Sequence, residues 1–327
     1  MSEPNNKRIA IVLFQLGGPD SLEAVEPFLY NLFCDPDIIS FPGAFLTRKP
    51  LAMYIASRRS KKVAEHYKDI GGKSPLLNLT MAQAKALQVE LDKSIDAKVF
   101  VAMRYWHPLT KEVILQMKNE SYKKIILLPL YPQYSKATTG SSLNEWNRQC
   151  AKLNFNTLPT SIIQNYHDHP LYIEVIVERI NSTLTKFSDV NPGDIDLVFS
   201  AHGVPISLIQ AGDPYQRHIE ETVKLVVEKG NWKSPHVLCY QSKVGPAEWL
   251  KPSLLNTMRN FAVRGRRHLL VIPIAFVTEH IETLHEIDIE AREDGKHLGI
   301  EQFEMMPALN DHPKFIRCLA ESVLAHL

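Results

Sequence analysis

Cysteine is scarce in this chain and scattered: Cys34, Cys150, Cys239 and Cys318 are each separated from the next by dozens of residues. No CxxC pair occurs, so spacing encodes neither a zinc knuckle nor an iron–sulfur cluster, and reduced thiols in a cytosolic protein are expected. A basic excess is missing as well. Lysine and arginine number 37 against 36 acidic residues, for a net charge of +1, which is not the electrostatic footprint of a nucleic-acid binder. Long apolar runs are absent: the stretches at 125–130 and 269–277 fall far short of the ~20 residues that span a bilayer. The opening segment MSEPNNKR carries no apolar core, so no secretory signal is expected. The chain reads as soluble, or at most peripheral to a membrane.

What is present is globular material. Apolar residues make up 45% and charged residues 22% of 327 positions, which excludes disorder and suits two domains of about 150 residues. Strands are predicted at 9–16, 98–103, 124–130, 157–163, 195–200, 236–240, 268–274 and 299–303. Helices are predicted at 22–33, 51–67, 77–92, 110–118, 141–152, 171–187, 214–229, 253–263, 281–293 and 312–327. Continuous apolar strands alternating with helices indicate an α/β fold with parallel sheets covered on both faces.

The pattern repeats. LFQLGGP (13–19) matches VFSAHGVP (198–205), RYWHPLT (104–110) matches YQSKVGPAEWLKP (240–252), and ILLPLYPQYSKATTGSS (126–142) matches LLVIPIAFVTEHIET (269–283). Three motif pairs in one order predict two similar halves, 1–170 and 171–327, with the last helix packing back on the first. Each motif sits at a strand's carboxyl end, where open α/β sheets bind ligands. The motifs are therefore expected to line one cleft between the halves.

Several signals lead elsewhere. GGKSP (71–75) lacks the earlier glycine of a phosphate-binding loop, since Tyr67 stands there, and LGGPDS lacks the GxGxxG spacing, so nucleotide binding is not expected. His167 and His169 read as a turn capping the next helix rather than as ligands. Gly140, Ser141 and Ser142 open a helix whose free N–H groups suit either an anion or plain capping.

The acidic stretch 276–290 is different. Glu282, Glu286 and Glu290 recur at a four-residue step, which on an α-helix keeps them near one face, and His280 and His285 join them. No base appears between Glu279 and Ala291 to offset the repulsion, so a cation is expected there: a metal ion, protons in transit or a partner's basic group. His202, at a strand's end before a Gly-Val-Pro turn, is structural by default. The repeat, however, sends it to the same cleft, where a neutral imidazole facing carboxylates can bind a divalent metal or take up protons. Segment 38–59 mixes Ile38, Phe41, Phe45, Leu51, Met53 and Tyr54 with Arg48, Lys49, Arg58 and Arg59. It reads either as core or as a greasy lip edged with bases, for a membrane surface or a flat apolar ligand bearing carboxylates.

Together these motifs resemble the ferrochelatases, which insert ferrous iron into a porphyrin at the last step of haem synthesis. The resemblance covers nearly the whole chain and rests on LGGP (16–19), RRSKKVAEHYKDIGGKSP (58–75), RYWHP, LYPQYSKATTGSSLN (130–144), FSAHGVP, GDPY (212–215), YQSKVGPAEWL and TEHIETLHEIDIE (278–290). It implies two Rossmann-like halves, each a parallel sheet flanked by helices, around a porphyrin cleft. It implies that His202 and Glu282 are the catalytic and metal-binding residues, with Glu286 and Glu290 as a relay for protons or metal. Leu16, Arg59, Tyr67, Ser74, Arg104, Tyr131 and Trp249 match porphyrin-binding positions, and 38–59 matches the lip.

Two departures stand out. Family members that bind an iron–sulfur cluster carry cysteines in a C-terminal extension and at the position of Lys136, so no cluster is expected here. Leu16 replaces the family's usual methionine or asparagine. The resemblance thus implies Fe2+ and protoporphyrin IX as substrates, two protons released, no permanently bound cofactor, no nucleic-acid partner, and a cytoplasmic enzyme peripheral at the inner face of the plasma membrane through its lip. Alternatives are coproporphyrin as substrate, a cobalt or nickel chelatase of a more carboxylated tetrapyrrole, and a non-catalytic carrier of metal or tetrapyrrole. The sequence leaves the oligomeric state open.

Overall fold

The run IAIVLFQ, apolar at every position but the last, forms strand β1 (Ile9–Gln15) and is buried along its whole length. Such a strand belongs in the middle of a parallel sheet covered on both faces. In the computed structural model, which describes residues 8–38, 44–156, 158–243 and 247–327, that is where β1 lies. It pairs with β2 (Ala97–Met103) on one side and β3 (Lys124–Pro129) on the other, and β4 (Thr160–Ile162) closes the order β2-β1-β3-β4, all parallel. Helices α1 (Val25–Phe33), α2 (Ala44–Asp69), α3 (Leu76–Leu91), α4 (Thr110–Met117) and α5 (Ser141–Leu153) belong to this unit. Alternate residues Ala10, Val12 and Phe14 of β1 pack with Val113, Met117 and Trp146 into one core.

The second unit repeats the plan. Strands β5 (Ile195–His202), β6 (His236–Gln241), β7 (His268–Pro273) and β8 (Gln302–Met305) run in the order β6-β5-β7-β8, again all parallel. Helices α6 (Pro170–Leu184), α7 (Ile206–Gln210), α8 (Tyr215–Gly230), α9 (Leu254–Val263) and α10 (Arg292–His297) follow, and α11 (Pro313–Leu324) ends the chain. The units comprise Met1–Asn165 with Ile316–Leu327, and Tyr166–Phe315. Val198, Leu269 and Val271 anchor the second core, against Met258 and Ile287.

The repeat extends to single hydrogen bonds. Leu130 donates its N–H to Phe14 O at 2.8 Å, and Ile274 donates to Ser200 O at 3.0 Å, which makes Leu16 and His202 equivalent positions. Met103 N–H bonds Pro108 O at 2.7 Å, and Tyr240 N–H bonds Pro252 O at 2.9 Å. Both prolines follow cis peptide bonds.

Three local expectations are corrected. The helix predicted at 281–293 is a π-helix, Glu282–Ala291, continued by α10. The helix predicted to open at Gly140 is already turning at Lys136, as a π-helix Lys136–Gly140 capped by Ser135, whose hydroxyl accepts from Ala137 N–H. Gly140, Ser141 and Ser142 are therefore interior rather than a free N-terminus. The helix predicted at 51–67 begins at Ala44 and carries Pro50 inside it. The lip prediction falls partly on 39–43, outside the described residues. Of the rest, Met53 and Tyr54 are each 60% exposed, so these two side chains are not core.

Candidate active site

In a sheet ordered β6-β5-β7-β8, the connection after β5 runs to β6 on one side and the connection after β7 runs to β8 on the other, so the crevice beyond the carboxyl ends of β5 and β7 is the topological switch point. His202 is the last residue of β5, and Glu282 opens the π-helix reached after β7. Their side chains meet there, with His202 Nδ1 2.7 Å from Glu282 Oε2. An ionised carboxylate only accepts, so Nδ1 carries the proton and the neutral ring keeps its lone pair at Nε2. His280 Nε2 stands 3.9 Å from the same carboxylate oxygen, and its Nδ1 donates to Thr278 O at 3.1 Å.

The surroundings hold this pair. Tyr215 donates its hydroxyl to His202 O at 2.9 Å. Ser200 bonds Gln241 Oε1 at 2.7 Å, and Gln241 Nε2 reaches Glu282 O at 3.4 Å. Glu279 accepts from Ala308 N–H at 2.7 Å and from Thr283, fixing the turn that leads into the π-helix. The indole of Trp249 and the ring of Phe276 lie edge-on to His202, at centroid distances of 6.3 and 6.5 Å. Gly203 is required by close approach: a Cβ there would lie 2.9 Å from Gln241 O and 3.2 Å from the Trp249 ring.

Electrostatics separate the two nearest carboxylates. Burial opposes charge on His202, but the charge and hydrogen bond of Glu282 outweigh it and raise the imidazole pKa. Burial likewise opposes ionisation of Glu282, yet His202 and His280 hold its pKa well below the ordinary value. Glu286, next along the π-helix, is pushed up to about 7 by burial and by the Glu282 charge, although Ser242 donates a hydrogen bond to it. A buried ionised acid beside one that titrates near neutrality is how proteins divide acid and base roles. Ser242 holds its bond from a left-handed backbone, φ +65°. Glu290 is exposed, so the three carboxylates step from the switch point to solvent. Each π-turn is wider than an α-turn, so a four-residue step falls just short of a full turn and the acids remain neighbours. Arg292, the first base beyond them, is taken by Asp288 and Phe303 O.

In the first unit, Leu16, Arg104 and Tyr131 follow β1, β2 and β3 at the equivalent sheet edge. Arg104 is spent on a buried network: its Nη2 lies 2.9 Å from Asp35 Oδ1 and its Nε 2.8 Å from Ser141 Oγ. Asp35 also accepts from Tyr105 OH at 2.6 Å and from Asp37 N–H at 2.9 Å. Ser74 is buried against Gly18, where a Cβ would come within 2.4 Å of its hydroxyl, and Tyr67 is buried nearby. Arg59 is exposed and lies over the Phe33 ring at 5.6 Å. Trp249 belongs to the second unit, beside His202.

Sequence reasoning missed Asp35, Gln241 and Ser242. The Asp-Pro step after α1 was the only signal for Asp35. Gln241 and Ser242 sat inside a motif already quoted, without a stated role. His169 does cap α6, accepting Leu171 N–H at 3.3 Å.

Two solved chelatases share this architecture. SirB of Bacillus subtilis, solved with Fe3+, superposes with a TM-score of 0.57 at 11% identity, covering 98% of this chain and 95% of that one. CbiX, the terminal enzyme of sirohaem biosynthesis in denitrifying bacteria, gives 0.53 at 13% identity, covering 98% and 100%. Fold and site together define a two-unit α/β chain with an imidazole–carboxylate pair at one switch point. The particular family follows from sequence. The ferrochelatase family profile matches residues 8–327. The ferrochelatase of Geotalea daltonii is 47% identical over 319 residues, 97% of this chain and 98% of that one. That of Trichodesmium erythraeum is 46% identical over 323 residues, 98% of this chain and 83% of its own. The chain belongs to the ferrochelatase family.

Proposed function

We propose that this chain is a metal chelatase, a lyase that inserts ferrous iron into protoporphyrin IX, giving protohaem and two protons as the closing step of haem synthesis. Family membership over nearly the whole chain carries the reading. The His202–Glu282 pair, 2.7 Å apart at a switch point, supplies its chemistry. With Nδ1–H held by Glu282, His202 Nε2 is the lone pair that accepts a pyrrole proton, and Glu282 stabilises the imidazolium that results. The same two groups suit a divalent cation, so they also act as the station where substrate Fe2+ sheds water. Glu286, half-ionised near neutral pH, passes a proton or the cation along to Glu290 and solvent.

Leu16, Arg59, Tyr67, Ser74, Arg104, Tyr131 and Trp249 form the porphyrin-binding set. Of these, Arg104 acts from a fixed position, because Asp35 and Ser141 hold its guanidinium. A pocket that fits a puckered macrocycle better than a flat one lowers the barrier, since puckering turns the nitrogen lone pairs out of the ring plane. No iron–sulfur cluster or other resident cofactor is part of the proposal, because four isolated cysteines offer no cluster spacing. The enzyme works in the cytoplasm. No described helix is long and apolar enough to cross a membrane, and the exposed Leu51, Met53 and Tyr54, beside exposed Arg58 and Arg59, provide peripheral contact with the inner face of the plasma membrane.

An anaerobic absorbance assay tests the function, giving protoporphyrin or coproporphyrin separately with ferrous iron. Repeated turnover with protoporphyrin is expected. Turnover with coproporphyrin alone moves the assignment to that substrate, and failure with both overturns it.

A further inference from the structure

A further group of metal-ligating side chains in the second unit includes neither His202 nor Glu282. His167 sits in the turn before α6, and its Nε2 lies 3.1 Å from Oε2 of Glu221 on α8. Asp168 adds a carboxylate, its Oδ1 4.0 Å from His167 Nδ1. One ligand atom from each of the three residues lies within 4.8 Å of the others. Two atoms bound at about 2.0–2.1 Å to a tetrahedral ion stand a little over 3 Å apart, which the His167–Glu221 spacing already satisfies. Asp168 and Glu221 are exposed, so their carboxylates can rotate onto an ion, whereas His167 is buried and fixed.

That fixing is specific. Thr222, next to Glu221, donates its hydroxyl to His167 O at 2.9 Å, tying the turn to α8. One turn earlier on α8, the ring of His218 stacks on that of His167, with centroids 4.0 Å apart and planes 10° from parallel. Supports of this kind orient a ligating imidazole and commonly change affinity 10–100-fold when removed.

We propose that His167, Asp168 and Glu221 form a second divalent-metal site, selecting a borderline ion such as Zn2+ and clamping the 166–169 turn to α8. One imidazole with two carboxylates gives a neutral site for a divalent ion. The nitrogen ligand favours first-row transition ions over Mg2+ or Ca2+. The inference does not depend on the porphyrin chemistry, because its readout is metal binding without porphyrin.

Zinc equilibrium dialysis at neutral pH tests it, using the full chain with His202→Ala and Glu282→Ala to silence the other pair. One equivalent of bound zinc is expected, lost when Asp168→Asn and Glu221→Gln are added, and weakened on the order of tenfold by His218→Ala. Wild-type protein should bind one equivalent more than the Asp168→Asn/Glu221→Gln variant, which keeps the test valid if the silenced background folds poorly. Zinc should also raise the melting temperature of wild type more than that of this double variant. Equal zinc content with and without Asp168 and Glu221 would overturn the proposal, as would no binding above background.

Discussion

Asp35 gives the sharpest stability prediction. Its side chain is fully buried and accepts from the Arg104 guanidinium, Tyr105 OH, Ser141 Oγ and Asp37 N–H. It joins the end of α1 to the end of β2 and the start of α5. Asp35→Ala removes one partner of a buried ion pair and leaves the Arg104 charge, only 10% exposed, without its counterion. Such truncations cost about 3–5 kcal/mol. At roughly 2–4 °C per kcal/mol for a unit of 150–250 residues, the melting temperature should fall on the order of 10 °C. Asp35→Leu with Arg104→Met should recover part of the loss, since an apolar pair leaves no buried charge. The pH dependence has a definite sign. Burial raises the Asp35 pKa, but Arg104 and the three hydrogen bonds more than reverse this and lower it. Its contribution is therefore present above the unfolded carboxylate value of about 3.9 and lost as pH falls through the lower folded value. Scanning calorimetry of the three proteins at neutral and acidic pH is the assay. A shift of under 2 °C for Asp35→Ala at neutral pH would refute the reasoning.

Gly203→Ala should cost about 1–3 kcal/mol by overpacking against Gln241 O and Trp249. The displaced His202 should also cut turnover on the order of 100-fold, measured as melting temperature and kcat. Glu282→Gln removes the main cause of the raised His202 pKa. A proton acceptor must be neutral, so activity in the wild type rises with pH through that raised value. In any residual activity of the variant the acidic limb should move to lower pH, and an unmoved limb would argue against His202 as acceptor. Met53→Ser with Tyr54→Ser should weaken sedimentation with anionic lipid vesicles while leaving turnover in detergent unchanged, and equal sedimentation would remove the lip from membrane contact.

Much of the fold was legible because the strands are buried on both faces. Runs such as 9–15 and 268–273 are continuous in apolar residues, and all eight predicted strands are found. The edges were less clear. The strand predicted at 157–163 shrinks to Thr160–Ile162, and the one predicted at 299–303 begins only at Gln302, three residues after Gly299, which takes φ +82°. The π-helix was not legible, since a shift from i+4 to i+5 bonding alters apolar spacing too little to see over ten residues. His202, Glu282, Glu286 and Glu290 could be picked out as unbalanced charge and a histidine at a strand's end. Asp35 could not: its partners Arg104, Tyr105 and Ser141 lie far away in sequence, and only the folded sheet brings them to it.

The pair itself is tested most directly by His202→Ala and Glu282→Ala, assayed anaerobically with ferrous iron and protoporphyrin alongside porphyrin binding by fluorescence quenching. Each variant should bind porphyrin nearly as wild type does and lose metallation. Near-normal turnover in either would contradict the role given to the hydrogen-bonded imidazole and carboxylate at the switch point.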